Sequence, residues 1–142
     1  MGVTVPLRTL ERLRKIVDPE DFKTEVFRMI GNDAPQPCGD RIFCVVYVEN
    51  EQLGTTGKLV KTLDQTKESI WQGKAMLVVD VSEGACIDTT EYKWYGPKVK
   101  RGDWIVAKVS ATTQLEIKDV PCRIIHDYLI EAVVSDPRHV TS

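Results

Sequence analysis

The sequence is poor in the residues on which most enzymes and metal proteins depend. It has two histidines, His126 and His139, and four cysteines, Cys38, Cys44, Cys86 and Cys122, with no Cys-x-x-Cys pair. That scatter argues against a zinc site, and no metal or cofactor is expected. In a reducing compartment such cysteines act as small buried hydrophobes, with cross-linking after lysis as the other outcome. There is no Gly-x-Ser-x-Gly, no phosphate loop and no His-Glu-x-x-His, so catalysis is not expected. His126 and Asp127 read as an ordinary surface pair where a strand turns. Long apolar runs are also missing: the longest, 43–48 and 75–79, fall far short of a bilayer span. The first residues show no secretory pattern, and Pro6 breaks the myristoylation pattern, so synthesis in the cytoplasm is expected. Nineteen basic and 21 acidic side chains leave a formal charge of -2. With no long-range field to draw in nucleic acid or anionic lipid, neither is expected as a partner. Lys98, Lys100 and Arg101 form a small basic patch without the aromatic platforms of a single-strand binder.

What is present is the composition of a folded protein: 142 residues, 42% hydrophobic and 28% charged. The amino-terminal stretch is helical in pattern. Leu10, Leu13 and Val17 recur at helical spacing among Arg8, Arg12, Arg14 and Lys15, until Asp18 and Pro19 stop the run. Asp18 is then an N-cap, Pro19 sits at the first helical position and Glu20 and Asp21 fill the first turn. This second helix carries an apolar stripe of Phe22, Val26, Met29 and Ile30, and Gly31 and Asn32 end it. Helices this short do not hold a core alone, so the stripes pack on the main domain, on another subunit or on a partner. The contact residues of this arm are Leu10, Leu13, Val17, Phe22, Val26 and Ile30.

The prolines at 35 and 37 mark a turn-rich linker, beyond which the character becomes β. The division expected is 1–38 as helical arm and linker and 39–142 as a β domain. Strands are predicted over 41–49, 74–82, 103–109, 114–118, 122–126 and 129–134, close together and without intervening helices. That spacing favours an antiparallel barrel, whose closure removes exposed edges. Val45, Val78, Ile105, Val106, Ile124 and Val133 are the core expected from it. Between the first two strands runs 50–69, too long and polar for a tight turn, carrying Leu59, Val60 and Leu63 beside Gly57. An apolar island in a long polar loop is bait for a groove on another protein, or else folds back on its own barrel.

Gly39 to Ile42 opening a strand, the stretch 73–84 that begins and ends in Gly, and Val99-x-x-Gly102-Asp103 leading into a strand together resemble the GroES-type co-chaperonins. The closing strands over 120–134 are similar to that family's ending, and Trp104 after Gly102-Asp103 with Cys122-Arg123 resembles its tailed-phage branch. The resemblance covers about 39–134. It implies a mainly β fold, a GroES-like antiparallel β-barrel assembling as a homo-oligomeric ring; the short N-terminal helical arm read from the periodicity is a departure, since ordinary members lack it. It implies a partner-docking loop at Gly57, Lys58, Leu59, Val60 and Leu63, and a roof hairpin between Gly84 and Val99. Tyr92, Trp94 and Tyr95 of that roof either line a subunit contact or cavity, or pack within the hairpin.

The function implied is that of a co-chaperonin docking on a host or phage chaperonin ring in the infected bacterium's cytoplasm and assisting capsid protein folding. The alternative is a virion protein using the same barrel as a capsid decoration or cement subunit on the major capsid protein. Where the family presents Gly and three apolar residues, this chain has Gly57, Lys58, Leu59 and Val60. Exchanging an apolar side chain for lysine forfeits about 1.5–3 kcal/mol of burial. That exchange and the arm suit the virion reading.

Overall fold

A computed structural model describes residues 12–13, 15–48, 75–91, 93–108 and 112–139. Helix α1, Pro19–Ile30, starts as its residues dictate: the Asp18 carboxylate accepts the Glu20 N–H, and Pro19 occupies the first turn. Six strands follow, β1 Arg41–Val46, β2 Ala75–Val81, β3 Trp104–Ala107, β4 Thr113–Ile117, β5 Val120–His126 and β6 Ile130–Val134. They form one antiparallel sheet in the order β4-β5-β1-β2-β3-β6. Each predicted strand has its counterpart, with ends moved by up to three residues. β5 begins two residues earlier than expected, because Pro121 stands where β5 pairs with β4, before the ladder to β1 begins at Cys122. A proline there removes no bond to the central strand.

β1 is buried along nearly its whole length, not on alternate residues. Phe43 and Val45 join one apolar cluster with Leu77, Val79, Trp104 and Cys122. Ile42 and Cys44 join another with Met76, Val78, Ile105 and Ile125. The sheet is therefore apolar on both faces. Helix α1 covers the first: Phe22, Val26 and Ile30, one turn apart, are buried in that cluster together with Leu13. Lys118 ties the helix end to the sheet. It sits with Asp119 in the two-residue β4–β5 turn, both at positive φ, and its ammonium reaches the Met29 carbonyl at 3.2 Å and the Asp33 carboxylate. A cation there meets the negative end of the helix dipole.

The second face is closed by the segment between β2 and β3, through Ala85, Cys86 and Val99. That segment re-enters the sheet at Gly102, whose φ of +92° suits glycine. Asp103 accepts the Lys100 N–H at 2.9 Å, and Gly102 N–H donates to the Val78 carbonyl at 2.8 Å. Arg101-Gly102-Asp103 is thus a turn laddered onto β2.

Of the expected core, Val45, Val78 and Ile105 are buried and Val106 and Ile124 are half-buried. Val133 is 38% exposed, because β6 lies at the sheet edge and pairs with β3 alone among the described strands. Leu13, Phe22, Val26 and Ile30 of the arm pack on their own sheet, Val17 is 48% exposed, and Leu10 lies outside the described residues. Phe22→Ala should therefore lower the unfolding free energy by about 3–5 kcal/mol. Val17→Ala should change it by less than about 0.5 kcal/mol, both read from urea unfolding curves.

Candidate functional site

The docking loop predicted at Gly57, Lys58, Leu59, Val60 and Leu63 lies outside the described residues, but both of its roots are described. β1 and β2 are antiparallel neighbours with Val46 opposite Met76, and the Tyr47 N–H donates to the Ala75 carbonyl at 3.0 Å. Tyr47 stands edge-on to Phe22 at 5.2 Å and to Trp104 at 5.5 Å between ring centroids. Phe22 and Trp104 lie 6.0 Å apart, and the Lys23 ammonium sits 5.8 Å above the Trp104 ring. Edge-to-face rings of this kind favour fixed orientation as well as burial. Helix α1 thus braces the root of the loop. In the sequence the helix and the loop are unrelated segments, and Tyr47, the residue between them, carried no signal beyond its strand.

The segment expected to be the roof is not a paired hairpin among the described residues, which run without strand from Ser82 to Asp103. Tyr92 lies outside them. Trp94 is half-buried, its backbone N–H bonded to the Asp88 carboxylate at 2.8 Å and its indole N–H to the Pro97 carbonyl at 3.2 Å. Tyr95 is 79% exposed with the Lys93 ammonium 5.8 Å from its ring. The three aromatics were read as one group. Trp94 packs inward and Tyr95 faces solvent, which leaves Tyr95 as the accessible aromatic of the described pair.

Polar side chains at the lower end of β1 and β5 rearrange the sequence reading. His126 pairs with Asp40 through Nδ1 and Oδ1 at 2.8 Å and stacks on Tyr128 at 5.0 Å. Asp127 turns inward and is buried, accepting the Cys86 N–H at 2.9 Å. The two are not a surface pair, because a strand ending in a tight turn sends adjacent side chains in different directions. Arg101 is drawn from the basic patch onto helix α1, its guanidinium 4.5 Å from the Phe27 ring centroid. Arg123 is buried in β5 and contacts the Thr112 hydroxyl; burial lowers its pKa from the ordinary value. Only its place beside Cys122 in a family-like stretch had marked it.

All four cysteines are free thiols. Cys44 and Cys122 lie on neighbouring strands but in the opposite-face clusters, so they do not meet. Burial pushes the Cys122 thiol up to about 12 and the Cys44 thiol higher still. Among the described residues no group of three His, Cys, Asp or Glu side chains is placed to hold a metal ion, and no helix is long and apolar enough to cross a membrane. A scan against models of protein families matches none of them, and a search of the curated proteins finds no match.

At pH 7.5 a thiol reagent should modify the exposed Cys38 quickly and leave Cys44 and Cys122 unmodified, as read by peptide mass spectrometry. Above pH 9 the unfolded chain ionises its thiols while the folded chain keeps Cys122 protonated up to about 12. Stability should therefore fall as pH rises through that window, by as much as about 1.4 kcal/mol per unit and per thiol. Cys122→Ala should fall less steeply than the parent in denaturant titrations at pH 9 to 11.

Proposed function

We propose that this chain is a GroES-type co-chaperonin of the tailed-phage kind, a ring-forming barrel that docks on a chaperonin through its β1–β2 loop and carries out no catalysis. The observation that carries the reading is the order of family-like pieces along one sheet. Gly39 and Asp40 precede β1, a long connection joins β1 to β2, Gly102 and Asp103 turn into β3, and β5 and β6 end the domain.

Chain reach supports the closed form of the sheet. In a flat sheet β3 and β4 would stand four strand spacings apart, about 19 Å, at 4.7–4.9 Å per spacing. Ala107 and Thr113 also lie at opposite ends of the sheet, which adds about 17 Å along the strands. The separation would be about 25 Å, whereas the six residue steps between them reach about 20 Å at full extension. A sheet curled so that its ends approach fits within that reach, which supports the barrel reading. The Lys108 N–H bonded to the carbonyl of Leu129, just before β6, and Arg123 of β5 against Thr112 tie down the two described ends of this short link. A barrel of this kind brings its edges together and limits stray pairing.

Docking then falls to the loop, rooted on Tyr47 and presenting Leu59 and Val60. Lys58, set where the family is apolar, favours the second reading, a cement subunit bound to assembled capsid. Nucleotide dependence separates them, because a co-chaperonin binds a chaperonin ring that is cycling nucleotide. With immobilised chaperonin, the chain should be retained in the presence of nucleotide and released in its absence. Changing Leu59 and Val60 together to Ser should weaken retention by at least tenfold while shifting the melting temperature little, each buried apolar side chain being worth about 1.5–3 kcal/mol. Nucleotide-independent retention on capsid shells, with none on the chaperonin, would replace this reading by the second.

A further inference from the structure

The segment from 85 to 99, described at 85–91 and 93–99, has the build of a strap over one apolar face of the sheet. Its ends are its anchors: Ala85 and Cys86 at one side and Val99 at the other are buried, while 87–91 and 95–98 are exposed. Beneath them lie Ile42, Cys44, Met76, Val78 and Ile105. Two hydrogen bonds of the middle run inside the segment, from the Trp94 backbone to Asp88 and from its indole to Pro97, and tie this part to itself.

A bond from the strap to the turn between β5 and β6 is made by Cys86, whose N–H donates at 2.9 Å to the buried carboxylate of Asp127, 41 residues away in sequence. Cys86 holds φ at +58°, a left-handed conformation that a residue with a β-carbon keeps only when its surroundings enforce it. Cys86 and Val99 are buried in the same apolar cluster, which brings the two ends of the strap onto one face. The pivots are fixed. Gly84 passes so close to the Gly39 carbonyl that a β-carbon would lie 2.5 Å from its oxygen, and Gly102 turns the far end back into β3.

We infer that this strap opens as a unit about Gly84 and Gly102, released when the Asp127–Cys86 clasp breaks, and that opening uncovers the apolar face holding Cys44. The chain thus carries a built-in means of exposing one face of its sheet while the apolar cluster beneath helix α1 stays closed, with Arg101 beside the Gly102 pivot giving up its contact with Phe27. The inference does not depend on the co-chaperonin reading.

Peptide-resolved labelling of the folded chain with iodoacetamide tests it, comparing the parent with Asp127→Ala. Cys86 and Cys44 should label at least tenfold faster in the variant, while Cys122, in the cluster beneath α1, keeps the parent rate. An unchanged Cys86 rate, or a Cys122 rate that rises with it, would overturn the inference, the second outcome marking global destabilisation. Should Asp127→Ala fail to fold, hydrogen exchange on the parent decides. The Ala85 and Cys86 amides should exchange at least tenfold faster than the Val45 amide of β1, and equal protection would count against the strap.

Discussion

An antiparallel sheet usually gives one face to the core and one to water, and its strands alternate accordingly. Here the central strand β1 is apolar on both sides, so the sheet must be covered twice. Helix α1 lies on one face and the segment between β2 and β3 on the other. Neither cover is stable alone. A helix of 12 residues is marginal in water without an apolar partner, and an irregular segment has no ladder to hold it. Each gains its order from the face it buries, with Phe22, Val26 and Ile30 contributing about 1.5–3 kcal/mol apiece. Helix and sheet are therefore one cooperative object, and the helix that looked like an appendage is a wall of the core.

The strands were readable because runs of Val and Ile are broken by Gly, Pro and Asp at each turn, and the helix because Asp18, Pro19 and a four-residue apolar period coincide. What the helix covers was not readable, since periodicity marks an apolar stripe without naming its partner. Val133 was misjudged for a related reason: an edge strand and a central strand share composition, and only pairing order separates them. His126 was assigned to its neighbour in sequence when its true partner, Asp40, lies across the β1–β5 ladder. A buried arginine inside an apolar strand, Arg123, leaves no trace in a hydropathy pattern beyond looking like an interruption.

The candidate docking apparatus divides in the same way. Leu59 and Val60 stand out in sequence because they are apolar among polar residues, and that contrast is local. The aromatic trio of Phe22, Tyr47 and Trp104 that braces the loop root is assembled from three segments far apart in the chain, so it emerges only with the fold. Position in a loop can be read from composition. The rigidity of what the loop hangs from cannot.

The helix is the first covering element to leave the ribosome, yet Leu77 and Trp104, which share its cluster, come much later. Between Val26 and Trp104 lie 78 residues of synthesis, roughly 4 to 16 s at 5–20 residues per second. For that interval the stripe of Phe22, Val26 and Ile30 has no finished face to settle on. The helix must stay uncovered, pair with a nascent β1 hairpin that is still incomplete, or be sheltered by a ribosome-associated factor. The price of placing a core wall ahead of the strands it covers is a nascent polypeptide that is sticky before it is stable.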